Sequence, residues 1–294
     1  MSAHVPDRNK SMNQVESAGL TDIGRKREIN QDTFLVDDRT GLYVVADGMG
    51  GHKAGEIASR IVVETLSERI ADPASGSKAA DVDDSFSPEA NRLMNAIRDA
   101  NRNVFDTSRK NDEYRGMGST VSAVYLCDDT IIGANVGDSP IYLIHRKNIE
   151  EIFEPHTLAA EQAAADPSGK ARPDRSLHHI LTRAVGTHDS VDAHLWEIMG
   201  FKGDILVIGS DGLSNKVSRE EISKAAQTMP PGKACRYLVD LANRRGGEDN
   251  ITVVIIKIGH AASGKNSVMK LLVDFFGKAF TQFRNKRRTV QRRG

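Results

Sequence analysis

The sequence predicts an α+β fold, a four-layer α-β-β-α sandwich in which two mainly antiparallel sheets pack face to face with helix pairs outside. Three observations lead there. The apolar runs are short and nearly continuous, the pattern of strands covered on both faces. Where such runs follow one another, the connections are two to four residues long, which suits antiparallel neighbours. Helical periodicity comes in pairs of segments, set apart from the strands.

In chain order, a first strand is expected over about 16–20. Residues 40–47, TGLYVVAD, read as a turn and then a buried strand. From Ala54 the period lengthens, and Ala54, Ile57, Ala58, Ile61, Val62, Leu66 and Ile70 recur at helical spacing. Small, polar and acidic residues over 72–85 read as a loop. Ser87 stands where an N-cap belongs, with Pro88 at the first helical position and a stripe of Ala90, Leu93, Met94, Ile97, Asn101 and Val104 behind it. Strands are expected at 120–126, 130–136, 140–145 and 148–153. Residues 154–195 read as irregular and hold five of the nine histidines. A buried strand at 204–212 leads to helices at about 218–227 and 232–245. The first of these opens on Ser218 with Glu221 three residues on, a capping box. A last strand is expected at 250–258. These elements make one domain over 14–259, with a flexible 1–13 ahead of it and a tail at 260–294.

With 294 residues, 39% hydrophobic and 27% charged, the chain has an ordinary globular composition and enough length for a large core. Cys127 and Cys235 lie far apart in apolar contexts and read as reduced and buried. With a polar N-terminus that lacks a secretory leader, this points to the cytoplasm. No stretch reaches the roughly 18 apolar residues of a membrane span. Residues 262–294 carry nine Lys/Arg and one Asp, a charge of +8, so the rest of this formally neutral chain carries −8. An acidic body argues against a nucleic-acid partner, and a monomer is expected.

Four aspartates recur at the ends of these runs. Asp47 closes a strand and precedes Gly48; Asp211-Gly212 follows Ile205–Ile208; Asp138 follows Gly137 after a third strand; Asp249 stands just before a fourth. Taken singly, Asp-Gly after an apolar run is a turn. Taken together, carboxylates at neighbouring strand ends would repel and be costly to desolvate, so a cation should neutralise them. Oxygen-only ligands select hard ions such as Mg²⁺ or Mn²⁺, and Gly48, lacking a side chain, lets its carbonyl approach a metal as well. Arg27 lies within the run Arg25-Lys26-Arg27, ahead of Asn30-Gln31-Asp32; taken alone this reads as a solvated charge run, and beside a metal cluster an arginine here suits a bidentate grip on an anionic oxygen group.

Six motifs then occur in order: RxxNQD (Arg27 to Asp32), DGMGGHxxGE (Asp47 to Glu56), GMGST (Gly116 to Thr120), GDS (Gly137 to Ser139), SDGL (Ser210 to Leu213) and GGEDNITVV (Gly246 to Val254). Together they resemble the metal-dependent type 2C, or PPM, serine/threonine protein phosphatases of the bacterial type, over about residues 15–258. The resemblance implies that Asp47 bridges two Mn²⁺ or Mg²⁺ ions, that Gly48 offers its carbonyl to one, and that Asp211 and Asp249 complete the pair. It implies that Asp32 holds metal-bound water, that Asp138 serves a third, looser ion, that Arg27 binds the substrate phosphate, and that Asn250 supports these ligands from behind. A water or hydroxide between the ions would then attack phosphoserine or phosphothreonine directly, on phosphorylated protein substrates supplied by a cognate Ser/Thr kinase. Met49 stands where animal members carry a histidine proposed as general acid, and His52 lies three residues on. Pro140 stands where many bacterial members have arginine. A non-catalytic module on the same fold is disfavoured because every metal aspartate is present; a hydrolase of small phosphate esters is the other alternative.

Residues 154–187 fall where the family has a flap that shapes access for protein substrates. His178 and His179 lack the spaced partners of a zinc site, so packing or surface contact is expected of them. In the tail, Val268, Leu272, Phe276, Ala279 or Phe280, and Phe283 share one helical face and RNKRRTVQRR follows. Packing on its own domain, a peripheral contact with the inner face of the membrane, or docking to an acidic partner through 265–293 are all open readings.

Overall fold

The computed structural model describes residues 15–51, 54–72, 82–166 and 173–259. The lead-in 1–13, His52, most of the 72–85 loop, part of the 154–187 segment and the tail 260–294 lie outside the described residues. In chain order the elements are β1 (Val15–Asp22), β2 (Asp32–Asp37), β3 (Leu42–Met49), α1 (Ala54–Ala71), α2 (Pro88–Lys110), β4 (Gly118–Ser119), β5 (Val121–Cys127), β6 (Thr130–Val136), β7 (Ile141–His145), β8 (Asn148–Glu151), α3 (Leu158–Ala165), β9 (His194–Met199), β10 (Ile205–Gly209), α4 (Asp211–Ser214), α5 (Arg219–Thr228), α6 (Pro231–Arg244) and β11 (Ile251–Ile258).

One sheet runs β1-β11-β10-β7-β8 and the other β2-β3-β5-β6-β9, with β4 pairing β3 beside it. Every strand pair is antiparallel.

Side chains of a strand alternate between faces, and the apolar residues sort accordingly into three layers. In β3, Leu42, Val44 and Ala46 pack under α1 and α2, while Tyr43 and Val45 face the opposite sheet. In β11, Ile251, Val253 and Ile255 pack under α5 and α6, while Val254, Ile256 and Ile258 face inward between the sheets. This two-sided cover is why the runs read as continuously apolar. A fully buried leucine or isoleucine in such a layer contributes about 2 kcal/mol.

The capping signals hold. Ser87 accepts from Ala90 N at the start of α2, with Pro88 in the first turn, and Ser218 and Glu221 form the reciprocal box at α5. No helix among the described residues is long and apolar enough to cross a membrane.

Several expectations need correction. The strand β2 was not anticipated: it is six residues long and mostly half-buried, too short to show a clear period. Residues 154–195 are not irregular throughout. They contain α3, a 3₁₀ turn at Arg175–His179, and the start of β9 at His194. Of α3 only Ala159 is buried, so it shows no apolar stripe for periodicity to detect. The strand expected at 148–153 ends at Glu151. Cys127 is half-buried rather than buried; it and Cys235 are free thiols. Pro140 lies just ahead of β7, where its carbonyl accepts from Gly209 N at 3.1 Å, so the missing N–H interrupts no ladder.

Candidate active site

At one end of the sandwich the layer between the sheets turns from apolar to acidic. Tyr43 and Val45 face the opposite sheet, and the next residue of that row is Asp47. Its cross-strand partner is Asp32 at the start of β2. From the other sheet the row Ile258, Ile256, Val254 ends on Thr252, whose hydroxyl donates to Asp32 Oδ2 at 2.7 Å. Ser210 and Thr252 join β10 to β11 through Ser210 N to Thr252 O and Thr252 N to Ser210 Oγ, both at 3.0 Å. The next residue is Asp211, which starts α4.

Asp47, Asp138, Asp211 and Asp249 line one open cleft of about 700 Å³, together with Arg27, Gly48 and Asn250. Asp32 is buried immediately behind them, 7% exposed. Thus the chain brings together every predicted site residue from five separate stretches.

The local scaffolding explains the placement. Asp47 N donates to Thr120 Oγ1 at 2.9 Å. Asn250 holds the 23–31 segment against β11: its Nδ2 donates to Ile23 O at 2.9 Å and Ile29 O at 3.0 Å, and its Oδ1 accepts from Gln31 N at 2.8 Å. That segment carries Arg27, whose Nη2 donates to Asp249 Oδ2 at 2.8 Å. Gly48 is required by a close backbone crossing as well: a Cβ there would meet Gly55 O at 2.0 Å and Gln31 O at 2.6 Å.

The carboxylates are electrostatically frustrated. Burial, then the charges of Asp32, Asp211, Asp138 and Asp249, drive Asp47 well above the usual carboxylate range. Burial pushes Asp32 up to about 7 despite its bonds from Thr252 and Ser210. Burial and Asp211 push Asp138 up to about 7, and burial and Asp249 raise Asp211. Arg27 is raised by its bond to Asp249, with Asp47 and Asp211 adding to it. Asp32 Oδ1 and Asp211 Oδ1 are buried with no hydrogen-bond partner. Crowded carboxylates, orphaned oxygens and an all-oxygen donor set fit hard divalent cations. As the side chains stand, no group of three or more His, Cys, Asp or Glu among the described residues is drawn together into a ligand set; the acids share a cleft without closing on one point.

Thr252 and His156 escaped the sequence reading, and His179, expected only to pack or to make surface contact, stands beside an acid of the cleft. Thr252 was legible in principle, since it falls on the inter-sheet parity of β11. His179 reaches the cleft with Nδ1 3.9 Å from Asp211 Oδ2, and His178 lines only the adjoining space. His156 is buried and ties the Asp138 turn to the 154–187 segment: its ring Nδ1 accepts from Gly137 N at 3.1 Å and its backbone N–H donates to Gly137 O at 2.9 Å. Burial and neighbouring Arg183 hold its pKa down to about 4, so the ring is neutral.

This geometry has counterparts in known proteins. The family model described as protein phosphatase 2C matches residues 23–239. The chain belongs to the protein phosphatase 2C family. The phosphatase is 35% identical to a putative protein phosphatase 2C-type of Streptococcus pyogenes, covering 80% of this chain and 94% of that one. It is 30% identical to the serine/threonine phosphatase stp of Listeria monocytogenes, covering 84% and 97%. Among solved structures it is similar to the catalytic domain of the serine/threonine protein phosphatase PstP in complex with two manganese ions, with TM-score 0.72, 29% identity, and coverage of 84% and 99%. The α+β sandwich expected from the sequence is thus the fold of the phosphatase and of its structural neighbours.

Proposed function

We propose that this phosphatase hydrolyses phosphoserine and phosphothreonine in proteins with the help of bound Mn²⁺ or Mg²⁺, by direct attack of water on phosphorus. The observation that carries the reading is that Asp47, Asp138, Asp211 and Asp249 line one cleft together with Arg27. Support comes from the relatives above, bacterial serine/threonine phosphatases among them, and from the manganese ions of one structural neighbour.

The chemistry that bound divalent cations supply is acidification of water and neutralisation of phosphoryl charge. Asp47, Asp211 and Asp249 would hold two such ions, with the Gly48 carbonyl beside them, and Asp138 would serve a third. Asp32, behind the cleft, would orient ligand water. Arg27 grips the phosphoryl oxygens: its guanidinium has five N–H donors, and the bond to Asp249 leaves others for an anion. Asn250 keeps the Arg27 segment and Asp249 in register, since it bonds to both. No side-chain nucleophile is required, so no phosphoenzyme should form. A Ser/Thr kinase would supply the substrate, and this enzyme would oppose it.

The test is phosphate release from a phosphothreonine peptide with and without Mn²⁺. Metal-dependent release abolished by chelation is expected; release indifferent to chelation refutes the proposal.

A further inference from the structure

Beside the catalytic cleft lies a second cavity of about 330 Å³. Asp138, His179 and Asp211 line both, so the two spaces adjoin at these side chains. Pro155, Ala159, Ala160, Ala163 and Pro173 make the apolar part of the far wall, and Thr157, His178, Ser214 and Asn215 complete the lining. α3 builds most of that wall. Thr157 caps it by accepting from Ala160 N at 3.3 Å, and positions 159, 160 and 163 fall on one face of the helix. Because these residues are alanines, the helix presents a face with nothing beyond Cβ, and the concavity follows. The carboxylates of the cavity, Asp138 and Asp211, belong to its shared side.

We propose that this cavity is a specificity subsite that takes one large aliphatic side chain, leucine, isoleucine or methionine, from a phosphoprotein substrate, at a position within two residues of the phosphorylated serine or threonine. An extended peptide advances about 3.3 Å per residue, so a side chain one or two positions away reaches a space that begins at Asp138 and Asp211. The prolines and alanines of the far wall offer it apolar contact, while the polar groups of the lining, Thr157, His178, Ser214 and Asn215 with the shared acids, stand around that wall. The inference rests on the phosphatase reading above and names which phosphoproteins the site prefers.

The experiment compares kcat/KM for an aryl phosphate and for phosphothreonine peptides carrying Leu, Gly or Asp at each position from two before to two after the phosphorylated residue, with Mn²⁺ present. At one of these positions the Leu peptide should exceed the Gly peptide by about tenfold, the scale of one well-filled apolar pocket. Ala163→Phe, chosen to narrow the cavity from its α3 wall, should bring the Leu peptide down to the Gly level while the aryl phosphate and the Gly peptide are unchanged. Ala163→Leu provides a second, milder filling should the larger ring unfold α3. Turnover of every peptide without preference overturns the subsite, as does a change common to all peptides in the variants; a common rise would place a segment of this chain in the cavity instead. Absence of Mn²⁺-dependent turnover on all phosphoesters would sink the phosphatase reading itself, and the subsite with it.

Discussion

Asp32 and Asp47 face each other directly across β2 and β3, on the row of side chains that elsewhere carries Phe34, Val36, Tyr43 and Val45 into the layer between the sheets. The same alternation that builds the core therefore delivers two carboxylates to its open end. Burial raises both, and the charge of Asp32 raises Asp47 further. The arrangement is costly by itself and becomes favourable only with counter-charge.

Asp47→Asn should lower turnover of a phosphothreonine peptide by about a thousandfold, roughly 4 kcal/mol of transition-state stabilisation. Its circular dichroism should match wild type, because Asp47 is held through its backbone N–H to Thr120. Calorimetric titration should show weaker Mn²⁺ binding. Wild-type turnover in this variant would remove Asp47 from the metal site.

Arg27→Ala should act mainly on KM, raising it about 10- to 100-fold, on the scale of one charge-assisted, bidentate contact. Arg27→Lys should recover little of this, since a point charge lacks the planar fork. A fall in kcat with KM unchanged would place Arg27 elsewhere in the reaction.

Thr252→Val keeps the shape and deletes the hydroxyl that reaches Asp32 across the sheets. In chelator, urea unfolding should show a loss of about 1–3 kcal/mol, the cost of a buried acceptor left without its partner, with the slope unchanged. No loss would mean that the inter-sheet bond carries no stability.

The metal-free protein should lose stability as pH rises. Asp32 and Asp138 have folded values of about 7 against an ordinary 3.8. A raised folded value contributes stability that is complete below the unfolded value and is lost as pH climbs through the folded one. Scanning calorimetry in chelator should show Tm falling by roughly 5 °C or more between pH 5 and pH 8, and Asp32→Asn should flatten that fall. Added Mn²⁺ should raise Tm more at pH 8 than at pH 6, because its ligands must be deprotonated. A metal-free Tm that is level over this range would contradict the electrostatic frustration described here.

By itself the sequence determined the layers and the cast of acids. Periods of two and of 3.6 are local properties, and so are caps such as Ser87 and the Ser218–Glu221 box; these placed most elements within a few residues. The acids announced themselves because an aspartate beside glycine at the end of a buried run is visible in the chain. What needed the tertiary structure was everything that depends on which ends meet. β2 and α3 have too little buried surface to signal themselves, and packing alone stabilises them. The hydroxyl of Thr252 on Asp32, the three-way hold of Asn250 on the Arg27 segment, and His179 beside Asp211 join residues up to 227 positions apart. No local pattern encodes a contact at that separation, because it is chosen by the register of two sheets closing on a shared core.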